Sequence, residues 1–226
     1  FVTLDRSLSL EAYVQLVLEA KEAGLPVRLG LEVDFFPETM DATMAAIEPY
    51  PWDFLIGSVH WIDGLPTDTA EMEAEFERRG VRSVWEAYTE MVVALGRSGL
   101  VDSIAHVDVL KKHGMRLDQE PLDLYDRIVE SAVAGGMAVE VSSQGLRKAA
   151  GEVYPAPNLL ARLSAAGVPI TLASDAHAAD EAGYGHAEVV EAAKAAGYET
   201  YLRFEDRRPI PVPLPTIQRH VPLEAT

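Results

Sequence analysis

Four short apolar runs in this chain break off in residues suited to bind metal ions or carry protons. Val27 to Phe35 contains Glu32 and Asp34, Phe54 to His60 ends on His60, Val101 to Asp108 contains His106, and Pro169 to His177 ends in Asp175 and His177. An apolar run of this length reads as a buried strand, and polar groups collected at successive strand ends are how barrel-like α/β enzymes assemble an active site. Side-chain alternation puts Asp175 and His177 on one strand face. Together Glu32, His60, His106, Asp175 and His177 supply three imidazoles and two carboxylates. That donor set suits zinc, iron or manganese, and water bound to such an ion becomes a nucleophile near neutral pH.

Six strand-like runs, at 27–35, 54–60, 101–107, 137–143, 168–174 and 198–204, alternate with helical patterns. Helices are predicted from Ser7 to Ala23, capped by Ser7 or Ser9, and at Met40 to Ile47, Ser83 to Ser98, Pro121 to Ala134, Asn158 to Ala166 and Ala187 to Ala196. This βα alternation implies a parallel sheet or barrel with right-handed crossovers in one domain spanning 1–226. Residues 61–80 form a long connection that should overhang the site. Residues 205–226, rich in proline, read as an extended surface tail.

With 226 residues, 48% of them hydrophobic, the chain is long enough to bury a single core. Its net charge of −17, from 19 Lys and Arg against 36 Asp and Glu, argues against nucleic acid as a partner, because phosphate contacts need cations. The absence of cysteine excludes disulfides and thiolate chemistry and is compatible with a cytoplasmic home. No apolar stretch reads as a signal peptide or membrane span.

Several segments, in this order, resemble one known family: Gly30-Leu-Glu-Val-Asp-Phe, Ile56-Gly-Ser-Val-His60, Ala105-His-Val-Asp108, Glu140-Val-Ser-Ser-Gln-Gly-Leu-Arg147, Glu152-Val-Tyr-Pro155 and Ser174-Asp-Ala-His177. The family is the polymerase and histidinol phosphatase (PHP) superfamily, and the resemblance, from about Gly30 to Tyr184, is to its histidinol-phosphatase branch. It implies a distorted (β/α)7 barrel with up to three divalent metals that hydrolyses histidinol phosphate, a small phosphorylated substrate, to histidinol and phosphate. It also implies that Glu32 bridges metals and that His60, His106, Asp175 and His177 are ligands. Members of the family begin with a His-x-His strand, and a second strand ends in a further histidine. No histidine precedes His60 here. The expectation is therefore a barrel lacking its first two βα units, with the strand at 27–35 left as an unpaired edge and the metal cluster depleted.

Each candidate also has a structural reading. A carboxylate in the position of Glu32 is costly to bury without a partner, which favours ligation. His60 taken alone would be a satisfied core histidine, and only the residues before it raise the ligand reading; His106 stands similarly. Asp34 and Asp108 are either partners of the ligands or the starts of loops. Arg147 follows the Glu140 strand, and a guanidinium fork fits phosphate oxygens. Lys111 and Lys112 read as solvated, as do His113, His186 and His220. Other readings are a different PHP-type phosphoesterase, an amidohydrolase-like enzyme told apart by amide cleavage, a PHP-type nuclease disfavoured by the charge, and a non-catalytic fragment told apart by metal content.

Overall fold

The computed structural model describes residues 9–67 and 69–217. Ser7, His220 and the end of the expected proline-rich tail lie outside them.

The first helix, α1 (Leu10–Glu22), starts at Ser9, whose hydroxyl accepts the Ala12 N–H at 3.2 Å. Its Tyr13 hydroxyl donates to the carbonyl of Gly30 at 2.7 Å, fastening the helix to β1 (Gly30–Asp34). After α2 (Met40–Ile47) comes β2 (Phe54–Ser58). The segment 61–80, expected as a loop, contains regular elements. It forms a small hairpin of β3 (Trp61–Ile62) and β4 (Leu65–Pro66) followed by α3 (Ala70–Arg79), in which Met72 and Phe76 are buried. Its polar surface hides a helical period that buries two side chains.

The chain continues through α4 (Val81–Ser98), β5 (Ser103–Ile104), α5 (Leu122–Gly135), β6 (Ala138–Ser142), α6 (Pro157–Ala165), β7 (Ile170–Ala173) and α7 (His186–Ala195). Helices α4 and α5 cross with almost no side-chain gap: a Cβ on Gly135 would sit 1.9 Å from the Gly96 carbonyl oxygen. Only glycine permits that approach.

Five strands form one parallel sheet in the order β1-β2-β5-β6-β7. A closed barrel is not seen among the described residues. The sheet is open, with β1 at one edge and β7 at the other, because the run at 198–204 does not extend it. That run is β8 (Thr200–Glu205), which pairs antiparallel with β9 (Arg208–Pro213) in a separate hairpin. The described part of the proline-rich segment is extended and mostly exposed, as expected, but it is paired as a strand. Pro209, Pro211 and Pro213 fall at every second position, and alternate residues of an edge strand turn their N–H away from the ladder.

Register divides the sheet into two unlike faces. Val33, Leu55, Ile104, Val139, Val141 and Ile170 lie on one face and are all buried. Glu32, Asp34, Ser58, Ser103, Glu140, Ser142 and Thr171 lie on the other. On that polar face the hydroxyls of Ser103 (β5) and Thr171 (β7) meet at 3.2 Å across the intervening strand β6. In a flat sheet those strands would be about 9.6 Å apart, twice the usual spacing. The sheet therefore curls, concave on its polar face.

Lys111, expected in solvent, is 2% exposed. It lies in a 3-10 turn after β5 (Val109–His113) and places Nζ 2.6 Å from Asp108 and 2.8 Å from Glu152, over the ring of Tyr154. Asp108 also accepts the Ala156 N–H at 2.7 Å. Of its two readings, Asp108 thus takes the structural one. His186 is exposed, as expected.

Candidate metal centre

The concave face ends, at the C-terminal edges of the strands, in a convergence of three donors. Glu32 is in mid-β1, His60 two residues past β2 and His106 two residues past β5. Nε2 of His60 and Nε2 of His106 lie 3.3 Å apart, and Glu32 Oε1 is 3.5 Å from each. Donors at the corners of a tetrahedron about 2.0–2.1 Å from a zinc ion are about 3.3–3.4 Å apart, so the spacing fits a divalent metal. Two imidazole nitrogens facing one another also need something between them: a proton or a cation.

His60 is oriented from behind. Its Nδ1 bonds Asp34 Oδ1 at 2.5 Å, and Ser58 Oγ lies 3.3 Å from both groups. Asp34 thus takes the first of its two readings, holding the imidazole with Nε2 turned toward the cluster. His106 is 3% exposed, and its Nδ1 has no partner among the described residues.

Asp175 and His177 sit at the same end of the sheet, after β7, but not within the tight trio. The alternation expected for them fails because the strand stops at Ala173 and Asp175 takes a left-handed conformation, φ 49°. The Asp175 carboxylate accepts from Gln144 Nε2, and its charge is felt at His106. His177 Nδ1 lies 3.0 Å from the Asp175 carbonyl, with half the side chain exposed.

Arg147 occupies a tighter place than a surface phosphate ligand would. Nη2 donates to the carbonyls of Ser174 and Asp175 at 2.9 and 3.0 Å, the guanidinium lies over Tyr184, and Nη1 is buried without a partner among the described residues. It braces the loop that carries Asp175 and His177.

Two groups near the centre were not singled out as site residues from sequence: Gln144, which holds Asp175, and Glu140. Glu140 lies in a strand whose five residues are all buried, and its carboxylate accepts the His106 N–H at 3.0 Å. A carboxylate inside an apolar run, the signal that marks Glu32, was present there too.

Charge coupling across the site is strong. Burial pushes the Glu32 carboxyl up, but His106 and His60 more than reverse it, leaving about 2. Burial lowers His106, yet Glu32, with Glu140 and Asp175 adding, holds it up at about 9. Burial raises Glu140 to about 7. Both raised groups make the same prediction for the metal-free protein. The contribution of His106 is complete below its ordinary 6.5 and lost as pH rises through about 9; that of Glu140 is complete below 4.5 and lost through about 7. The thermal midpoint of chelator-treated protein is therefore expected to fall between pH 6 and 9, while the gain in midpoint on adding metal grows over the same interval, since ligation needs neutral imidazole. A metal-free midpoint that rises across that range would contradict this charge arrangement.

A curled parallel sheet with imidazoles and carboxylate gathered at its strand ends is the construction of a metal-dependent α/β hydrolase. More particularly, residues 6–144 match the PHP domain family, and the chain belongs to it. It is 37% identical over 198 residues to a probable histidinol-phosphatase of Deinococcus radiodurans, covering 87% of this chain and 75% of the relative. It is 25% identical over 211 residues to the histidinol-phosphatase of Bacillus subtilis, covering 81% and 76%. In fold it is similar to the crystal structure of a histidinol phosphate phosphatase from Lactococcus lactis in complex with zinc, L-histidinol and phosphate. The TM-score is 0.76 at 20% identity, over 90% of this chain and 80% of that one. No helix among the described residues is long and apolar enough to cross a membrane.

Proposed function

We propose that this protein is a metal-dependent phosphomonoester hydrolase that converts histidinol phosphate and water to histidinol and phosphate, in histidine biosynthesis and in the cytoplasm. The observation that carries the reading is the trio Glu32, His60 and His106, with both Nε2 atoms and a carboxylate oxygen directed at one point. Glu32, His60 and His106 would hold a divalent ion, zinc, iron or manganese. Asp175 and His177, past the end of β7 and two strands beyond β5, are assigned as ligands for further ions, up to three in all. The curled sheet is read as an arc of the PHP barrel.

A divalent ion supplies a water-derived nucleophile near neutral pH and polarises the phosphoryl group. The protein's own groups orient that chemistry. Asp34 fixes the tautomer of His60, leaving Nε2 free to ligate. Arg147 adds positive charge beside Asp175, shared with Glu181 3.5 Å from Nη2, and is proposed to serve the phosphate by holding that loop. This local cation matters in a chain of net charge −17, which would otherwise repel an ester dianion.

The test is phosphate release from histidinol phosphate before and after chelation. Chelation is expected to cut the rate about a hundredfold or more, equivalent to about 3 kcal/mol of barrier, and zinc or manganese to restore it. Metal-restored hydrolysis of other phosphomonoesters only would move the assignment to a different PHP phosphoesterase. Amide cleavage would move it to an amidohydrolase, and protein that binds no metal would sink the enzymatic reading.

A further inference from the structure

We infer that Glu140 is a positioning residue for the metal ligand His106, acting through the ligand's backbone rather than by touching the ion. The inference rests on the metal-site reading above and deepens it. His106 has φ +22°, a conformation that residues with a side chain rarely adopt. Such a conformation persists where surrounding groups impose it. Both backbone groups of His106 are held by side chains from other elements. From β6, the buried Glu140 carboxylate accepts its N–H at 3.0 Å. From α4, the fully buried Tyr88 hydroxyl donates to its carbonyl at 3.2 Å.

The consequence for the site is geometric. His106 lies one residue past the ladder bond from the Ala105 N–H to the Gly57 carbonyl at 2.8 Å, and its imidazole Nδ1 has no partner among the described residues. Nothing described behind the ring does for His106 what Asp34 does for His60. Its direction is set instead through the backbone, and the Glu140 contact is the one that reaches this peptide from the concave face. Placing Nε2 3.3 Å from that of His60 therefore depends on the Glu140 oxygen.

The experiment separates geometry from charge. Glu140→Gln leaves an acceptor oxygen in the same place and removes the charge. Glu140→Asp keeps the charge and withdraws it by one C–C bond, about 1.5 Å. Zinc affinity is read by calorimetric titration of each chelator-treated protein, with circular dichroism as the check on folding. Glu140→Asp is expected to weaken zinc binding ten- to hundredfold, the usual effect of losing a group that orients a ligand, and Glu140→Gln to stay within about threefold of wild type. Asp binding as tightly as wild type, or Gln losing as much as Asp, overturns the inference. If Glu140→Asp fails to fold, Glu140→Gln decides alone, since a tenfold loss there is incompatible with a positioning role. Wild-type protein that takes up no zinc would instead remove the metal-site reading itself.

Discussion

Replacing Glu32 by glutamine is expected to lower kcat/KM for histidinol phosphate by about a hundredfold or more while leaving the fold intact. The amide keeps the size of the side chain but carries no charge, and among the described residues the carboxylate is the one anion in contact with both imidazoles. A ligand held near pKa 2 is ionised at every working pH, so the wild-type charge is always available to a cation. The fold should survive because Glu32 is 40% exposed and its strand is paired through the backbone to β2. A fall of two orders of magnitude corresponds to about 3 kcal/mol of transition-state stabilisation. The check is steady-state kinetics beside a thermal melt in chelator. Unchanged turnover would show that Glu32 is not a ligand, and a collapsed melt would show that it is a structural residue.

The second large effect falls on stability, away from the centre. Lys111→Met fills the same space but leaves the buried carboxylate of Asp108 without its cation. Breaking one side of a buried pair costs about 3–5 kcal/mol, whereas replacing the whole pair is often neutral. For a domain of this size that is a drop of about 10 °C in thermal midpoint. The loss should be partly recovered in Lys111→Met combined with Asp108→Asn, which removes the stranded charge while Asn Oδ1 can still accept the Ala156 N–H. A single variant that melts within 2 °C of wild type, on the order of 1 kcal/mol or less, would mean that water or relaxation compensates the charge.

Much of the architecture was legible in the residues because strand and helix periods are local. The apolar runs at 27–35, 54–60, 101–107, 137–143 and 168–174 all contain strands of the one parallel sheet, and the six expected helices all form. The helix within 61–80 is not legible in the residues, because its apolar positions are few and it is marked by burial of Met72 and Phe76 rather than by composition. The run at 198–204 forms a strand as expected, but its pairing with β9 is not legible because the partner of a strand is not written in the strand. Proline argued against a ladder, and the ladder formed with prolines at alternate positions.

The sequence by itself determined which residue types stand at the strand ends and so which chemistry is available: Glu32, His60 and His106 are marked by the apolar runs around them. Only the tertiary structure decided how close they come. The 3.3 Å and 3.5 Å separations depend on the curl of the sheet, the left-handed turn at His106 and the contacts from Asp34, Glu140 and Tyr88, each of which joins residues at least 18 positions apart. The same distinction explains Lys111, solvated by every local rule and buried because Glu152, 41 residues later, folds over it. Local sequence specifies conformation over a few residues, whereas a site is a set of distances between segments, and those are settled by packing.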